Sequence, residues 1–598
     1  MKKIISLLMI PVMGLLALSC EKEPGQEGGN SGAAVLGISV TGLPEVVEVP
    51  ENQSQSFEVV VISNPGPSEA IQVTLGTDES LVAKYNAAYG TAYEMLPTAA
   101  YELPSSALMV MKYNKISVPS SLKLIGAGCE VGKTYLLPVV VASVKGNAAY
   151  EAPEDRVAYV VFKMLAAQME GAGTQADPFK VKNIDEFNKL GNVLKTGETV
   201  YVKLVADLDY NGAAWSQAKG EGTPIVLDGD NHVVKNVVAE HSLFFALEGT
   251  VKNLTFDNIV LSVGAETAGL LACTAGVDAE KTYIQNVTVT NSKVTNVGHA
   301  GGLVGKITNV VVDNVHVACD VKAMDRVGGM FGHTIGCEIT NSSATGSVTA
   351  ESYYSGGLIG MMHSSSLKGC SATGNVTHTT NTYSRIGGLV GQVICNATIE
   401  NCYATGTVYG GGYFGGGLIG VVETSETVDG KEIVHTATIK QSYSTGSISL
   451  IRDAKDAGAG GLVGRFETGK LVVTDCYSSS AVEADRYSGG FIGDVNKGEL
   501  VITNGYYKGD LSKLGPDANG NHSDGVAIGC LREQDFITIK CTGFVAWNTL
   551  DTKKFSYQDL VPSSGNYFGA EGTVSEQAQK LGWDASIWDF SASEPKLK

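Results

Sequence analysis

The sequence predicts an all-β chain: an N-terminal β-sandwich followed by a parallel β-helix, or solenoid, closed by capping segments. Two patterns predict it. Between residues 35 and 165 apolar and polar residues alternate in short β-branched runs, and after residue 268 the string G-G-[LMF]-[IVF]-G returns seven times. A third observation excludes the main competitor. No repeat carries an amphipathic helix long enough to cross over a sheet, so the strands must pair with copies of themselves.

The chain opens on MKKIISLLMIPVMGLLALSC, with two lysines, an apolar run too short to span a bilayer comfortably, and small Ser19 before Cys20. This stretch resembles a bacterial lipoprotein signal, which implies removal of the leader and a lipid on Cys20. The acidic, Gly-rich EKEPGQEGGNSG that follows suits a tether over 21–34. Glu21 and Glu23 resemble the export signal of Bacteroidetes surface lipoproteins, which implies a lipid-anchored protein of the outer membrane facing the exterior. No later apolar run reaches the ~20 residues of a spanning helix, so the lipid is the expected membrane contact.

In the sandwich region (35–165), SFEVVVIS puts Phe57, Val59 and Val61 on one face. IQVTLG does so with Ile71, Val73 and Leu75, and TYLLPVVVASV with Tyr135, Leu137, Val139 and Val141. A single helix is expected after Asp78, with Leu81, Tyr85 and Ala88 on one face and Gly90 ending it. The string DESLVAKYNAAYGTAYEMLPTAAYEL with GKTYLLPVVV resembles the N-terminal domain of Bacteroidetes lipoproteins associated with glycan use. LAAQMEGAGTQADP then lacks any apolar period and is expected to be a linker, assigned to 166–178.

Opening coils and an N-terminal cap are expected over 179–267, where Ile184, Phe187 and Leu190 have helical spacing. The repeats follow over 268–530. The strings end at Gly305, Gly332, Gly360, Gly391, Gly420, Gly464 and Gly493, so successive intervals are 27, 28, 31, 29, 44 and 29 residues. A second string keeps phase with the first: ITNSSATGSV, LKGCSATGNV, IENCYATGTV, IKQSYSTGSI and VTDCYSSSAV. Together they resemble the GLUG repeat of bacterial surface adhesins, which implies a parallel β-helix. The glycines are expected at corners, in positive φ or at close approaches between coils. The long interval holds an insertion, ETSETVDGKEIVH, expected as a flank loop. The tail 531–598, with Trp583, Trp588, Phe590 and Pro595, is expected to close the other end.

Composition narrows the function. A net charge of −19, without a Lys/Arg cluster, argues against nucleic acid. No H-E-x-x-H is present, which removes the zinc-peptidase reading available to some GLUG proteins. Asp320, Asp325, Asp453, Asp456 and Glu483 are scattered over repeat positions and form no evident catalytic pair. Cys370, Cys402 and Cys476 share a repeat position with Ser342 and Ser442 and are expected as buried free thiols. No C-x-x-C occurs, and neither a metal nor a cofactor is expected.

One row points to binding. Six residues before each final glycine stand His299, Arg326, Tyr354, Arg385, Phe414, Gly458 and Tyr487, with Tyr353, Tyr383, Tyr413 and Arg486 close by. Equal phase in a solenoid makes a longitudinal stripe. Rings and guanidinium groups along it suit extended sugars, or else form a ladder that only stiffens the coils. A second row, Tyr403, Tyr443 and Tyr477, is expected to pack. The expected function is a surface adhesin or glycan-binding module without catalysis, its ligand a polysaccharide or a host or cell-surface glycoprotein. The alternative is a carbohydrate-active β-helix enzyme, a polysaccharide lyase or glycoside hydrolase.

Overall fold

The computed structural model describes residues 35–51, 53–146, 156–165, 169–218, 220, 222–276, 281–380, 383–411, 413–450, 457–484, 487–511, 523–547, 567–568 and 570–598. The expected signal with Cys20, the tether, Asp453, Asp456 and Arg486 lie outside the described residues. The described residues form two compact units that divide between 168 and 169.

The first unit is a sandwich of two sheets. One sheet orders Val35–Thr41, Ser54–Asn64, Ser120–Ile125 and Tyr101–Glu102. The other orders Val47–Pro50, Ala158–Leu165, Thr134–Lys145, Ile71–Thr77 and Leu108–Val110. The alternation read from sequence is the packing pattern: Phe57, Val59, Val61, Ile71, Val73, Tyr135, Leu137 and Val139 share one core. The helix Ser80–Tyr89 ends at Gly90 in the left-handed region (φ 67), and Asp78 Oδ1 accepts the Ser80 N–H at 2.9 Å. Its residue Val82 covers Leu136 and Val161 on the outer face of the second sheet.

The second unit is a solenoid of parallel strands in three long sheets of 28, 10 and 9 strands. One coil shows the plan: Arg385–Gly387 lies in the nine-stranded sheet, Val390–Ile394 in the ten-stranded, and Ala397–Glu400, Tyr403–Ala404 and Val408–Gly410 in the largest. Equivalent residues pair coil to coil. Val390 faces Ile419, which faces Val463, and Ile399 faces Ile439, which faces Val473. Leu358, Leu389, Leu418 and Leu462 are all 0% exposed, and each such burial contributes about 1.5–3 kcal/mol.

The repeat glycines serve close approach rather than positive φ. None of the glycines in the seven G-G strings has positive φ. A Cβ on Gly356 would stand 2.0 Å from the Ile359 carbonyl oxygen, and one on Gly391 would stand 2.4 Å from that of Gly360. The left-handed corners belong largely to asparagine, as at Asn286 (φ 52), Asn314 (φ 55), Asn341 (φ 50) and Asn401 (φ 55). Some of these asparagines form a ladder: Asn314 Nδ2 donates to Asn286 Oδ1 at 2.9 Å, and Asn286 Nδ2 to Asn253 Oδ1 at 3.0 Å. Cys370, Cys402 and Cys476 are buried free thiols. Their position serves the backbone: Cys402 N–H donates to Ser442 Oγ at 3.1 Å, and Val315 N–H to Ser342 Oγ at 3.2 Å.

Three expected segments are placed differently. The linker ends earlier than expected, because Met169 is 4% exposed within the solenoid core and Glu170 bridges to Lys180 in the first strand, Phe179–Val181. Coiling also runs past 530, since Ile537–Thr542 pairs in parallel with Gly498–Thr503 and Val545–Ala546 with Tyr506–Tyr507. The tail adds one strand to the end of the largest sheet, Tyr567–Phe568 on Val545–Ala546, but its last part, 570–598, runs elsewhere. It lies along a flank, where Trp583 and Trp588 pack on Tyr443, Tyr477 and Tyr506, while Tyr477 Oη donates to the Pro595 carbonyl at 2.8 Å. The second tyrosine row draws it there: Tyr403, Tyr443 and Tyr477 stack at 5.0 and 4.8 Å and offer an apolar face to cover. The N-terminal helix Ile184–Phe187 is capped by Asn183, and Phe187 and Leu190 enter the core as expected.

Candidate functional site

The predicted row follows the nine-stranded sheet. Tyr354 pairs with Arg385, Arg385 with Phe414, Phe414 with Gly458 and Gly458 with Tyr487. At the upper end the register shifts: His299 pairs with Asp325, and Arg326 is an extra bulged residue in the left-handed region (φ 45). The bulge re-aims the guanidinium. Arg326 Nη1 lies 2.8 Å from His299 Nε2 and 3.1 Å from Asp325 Oδ2, while its Nε meets Met361 Sδ at 3.3 Å.

A second row faces the first. It runs Lys306, His333, Met361, Gln392, Val421, Arg465 and Asp494 along the ten-stranded sheet, one residue after each final repeat glycine. That fixed offset was available in the sequence as a signal, but its mixed chemistry hid it. Contacts between the rows define a trough: Arg326 reaches Met361 and Arg465 lies 4.5 Å over the Phe414 ring, and past the end of the second row Arg532 lies 5.1 Å over Tyr487.

The trough has two parts of different character. In the lower part Arg465 is ion-paired with Glu467 and with Asp494 at 3.3 Å, and Arg532 reaches Asp494 at 2.6 Å. The Arg465 guanidinium covers Phe414, which is 0% exposed, so Phe414 and Gly458 present nothing to a ligand and the predicted stripe is interrupted there. The upper part is more open. Arg385 Nη1 donates to Tyr354 Oη at 2.8 Å, and its guanidinium lies 5.0 Å from the Tyr354 ring and 5.2 Å from that of Tyr383. Among the described residues no carboxylate pairs with Arg385.

An exposed rim runs beside the upper part. Val297 (62% exposed), Met324 (49%), Tyr353 (48%) and Tyr383 (41%) precede the row on four successive coils. The next coil adds Tyr413, whose ring is 4.8 Å from Tyr383. Tyr353 holds a left-handed backbone (φ 48) and stacks on Tyr354 at 5.9 Å. Two non-glycine residues in this region, Tyr353 and Arg326, thus flank the same trough, where strain of about 1–3 kcal/mol each is retained.

His333 adds a titratable wall. Burial, then the charges of Arg326 and Lys306, push its imidazole down to about 4. A folded pKa below the unfolded value of about 6.5 means stability is full above pH 6.5 and is lost as pH falls toward 4. His333→Gln should remove about 2–3 kcal/mol of this acid sensitivity, read as a flatter plot of denaturation midpoint against pH. Equal slopes in both proteins would show that His333 is not the group responsible.

The scattered carboxylates have structural roles where described. Asp320 Oδ1 accepts from the Ser347 N–H at 2.9 Å, and Glu483 accepts from Ser449 Oγ at 3.2 Å. Of the described members of that set, Asp325 lies in the trough, beside Arg326.

Family models match a stretch of each unit. A family described as an N-terminal domain matches residues 40–148, and the GLUG motif matches residues 382–409. The chain is 28% identical over 427 residues to Halomucin of Haloquadratum walsbyi, covering 54% of this chain and 4% of that protein. It therefore spans a small fraction of the curated relative it matches. Similar solved structures include a putative immunoglobulin A1 protease from Bacteroides ovatus, 17% identical over 72% of this chain and 94% of that one, with a TM-score of 0.30. A putative carbohydrate binding protein from Bacteroides ovatus is 22% identical over 23% of this chain and 39% of that one, with a TM-score of 0.19. The parallel register and the motif match carry the assignment: the chain is a β-sandwich followed by a parallel β-helix that contains a GLUG motif at residues 382–409.

Proposed function

We propose that the solenoid binds an extended glycan along the upper trough, on a surface lipoprotein anchored through Cys20 and displayed from the outer membrane. The observation that carries this reading is the exposed rim of Val297, Met324, Tyr353 and Tyr383 beside Tyr354 and the carboxylate-free Arg385. Coils repeat about every 4.8 Å, close to the length of one sugar unit in an extended chain, so successive units meet equivalent rungs. Tyrosine rings cover apolar sugar faces, and the guanidinium donates to hydroxyl or carboxylate oxygens. Many weak contacts on a rigid support suit adhesion.

A glycan array followed by calorimetry on the best glycan tests the site. Tyr353→Ala with Tyr383→Ala should weaken binding at least about 30-fold, the loss of a hot-spot aromatic, while the protein stays folded with only the small loss of stability expected for the Tyr354, Tyr413 and Arg385 contacts. Unchanged affinity would remove this face from the function. Protease shaving of intact cells tests display, because a protein facing the periplasm would survive it.

Catalysis needs a carboxylate that reaches the substrate. The charged cluster closest to an enzyme's pattern is Arg465, Glu467, Asp494 and Arg532, yet Asp494 is 0% exposed and held by both arginines. The cluster is built to hold coils together, and incubation with the bound glycan should release no reducing ends.

A further inference from the structure

The solenoid's period breaks in the 44-residue interval, and the insertion there is an antiparallel hairpin of Ser425–Val428 with Lys431–Val434. Its base is pinned to the coil. His435 N–H donates to the Thr424 carbonyl at 2.7 Å, and Thr436 N–H donates to Asn396 Oδ1 at 3.1 Å. The His435 ring sits between two side chains, with Nε2 2.9 Å from Glu426 Oε1 and Nδ1 3.0 Å from Asn396 Nδ2.

Cys395 stands at the coil corner beneath this base. The same corner in the preceding coils is Asn309 (φ 54), Gly336 (φ 64) and Ser364 (φ 46), each sending its backbone N–H to the next coil's carbonyl. Cys395 (φ 61) does the same toward Glu423 at 3.1 Å. Asparagine, glycine and serine suit a left-handed corner for backbone reasons, whereas cysteine has no such advantage. Its side chain is 3% exposed, and among the described residues its thiol makes no hydrogen bond. Cys395 Sγ, a Glu426 oxygen and a His435 nitrogen all lie within 4.8 Å of one another.

We propose that Cys395, Glu426 and His435 form a binding site for a zinc-type divalent ion that clips the inserted hairpin onto the solenoid. One thiolate, one imidazole and one carboxylate form a mixed S, N, O set suited to zinc, with water as fourth ligand, and a poor set for calcium or magnesium. On binding, the thiol releases one proton to solvent. The His435 Nε2–H···Glu426 bond is replaced by two metal bonds, and the ring proton moves to Nδ1. Asn396 then turns its amide oxygen to that proton and gives up the Thr436 N–H, so Asn396 becomes a positioning residue. The site lies apart from the glycan trough and stands or falls without it.

The test uses the full chain, reduced, stripped with a chelator and titrated with Co²⁺ alone. One equivalent should bind and give a thiolate-to-cobalt charge-transfer band in the near ultraviolet, which Zn²⁺ then displaces. Cys395→Ser should abolish the band while keeping the fold, because Ser364 already occupies the equivalent corner. His435→Ala should weaken binding by at least about 100-fold, more than the 10–100-fold cost of losing a residue that only positions a ligand. Absence of saturable one-to-one binding, or a band that persists in Cys395→Ser, overturns the proposal.

Discussion

Replacing Gly391 by valine is expected to destabilise the solenoid by more than about 4 kcal/mol, or to prevent its folding. The first added carbon would stand 2.4 Å from the Gly360 carbonyl oxygen, 2.7 Å from that of Ser355 and 2.8 Å from the Ser355 nitrogen. These are backbone atoms of the preceding coil, fixed by the parallel ladder in which Ile359 faces Val390, so no side chain can swing aside. The strain therefore falls on two coils at once, and in a solenoid each coil is stabilised mainly by its neighbours. Denaturant unfolding of the solenoid would show it as a lower midpoint or a broken, multistep transition. Gly430 provides the control. It has φ 73 in the hairpin turn and nothing within 4 Å of an added Cβ, so Gly430→Ala should cost only about 1 kcal/mol. Equal effects at the two positions would mean that backbone conformation, not coil spacing, explains the repeat glycines.

That contrast also explains what could be read in advance. Apolar alternation at Phe57, Val59 and Val61, and the phase of the G-G strings, report directly on burial and coil register, because both are set by spacing along the chain. The strings could not reveal that Asn286 and Asn401 take the left-handed corners, since asparagine in a repeat has many uses. Met169 was hidden as a core residue by the glycines around it, which turn the segment back onto the first coil. The flank position of the tail depends on Trp583 and Trp588 meeting Tyr443, Tyr477 and Tyr506, partners far away in sequence.

The candidate site divides in the same way. Pairing of Tyr354 with Arg385 and of Arg385 with Phe414 was legible as equal phase. Exposure was not, because it depends on what the facing row supplies. Opposite Tyr354 and Arg385 that row carries Met361 and Gln392, which supply no counter-charge to the guanidinium of Arg385, whereas the coil after Phe414 supplies Arg465 and seals the ring. A single substitution in the second row, at a residue that touches no ligand, thus decides whether a rung is open. The same reasoning separates affinity from stability: the upper rungs hold exposed rings, and the lower rungs hold buried charges.

Asp494→Ala is the matching test of the lower trough, with an expected loss of about 3–5 kcal/mol of stability at neutral pH. Asp494 is 0% exposed and joins Arg465 at 3.3 Å to Arg532 at 2.6 Å across two coils. Removing it leaves two cations facing each other, one of them, Arg465, with a side chain only 8% exposed. Glu467 remains beside Arg465 and offsets part of the cost, but it is on the same coil and cannot replace the link to Arg532. If the loss arises from stranded charge, adding Arg465→Met should recover part of it, because an apolar side chain over Phe414 and Val421 needs no counter-ion. A double variant as unstable as the sum of the two single ones would instead mean that each residue acts through packing alone. Glycan affinity at the upper rungs should be unchanged in Asp494→Ala wherever it remains folded, since the partners of Asp494 are Arg465 and Arg532 and not Tyr353, Tyr383 or Arg385.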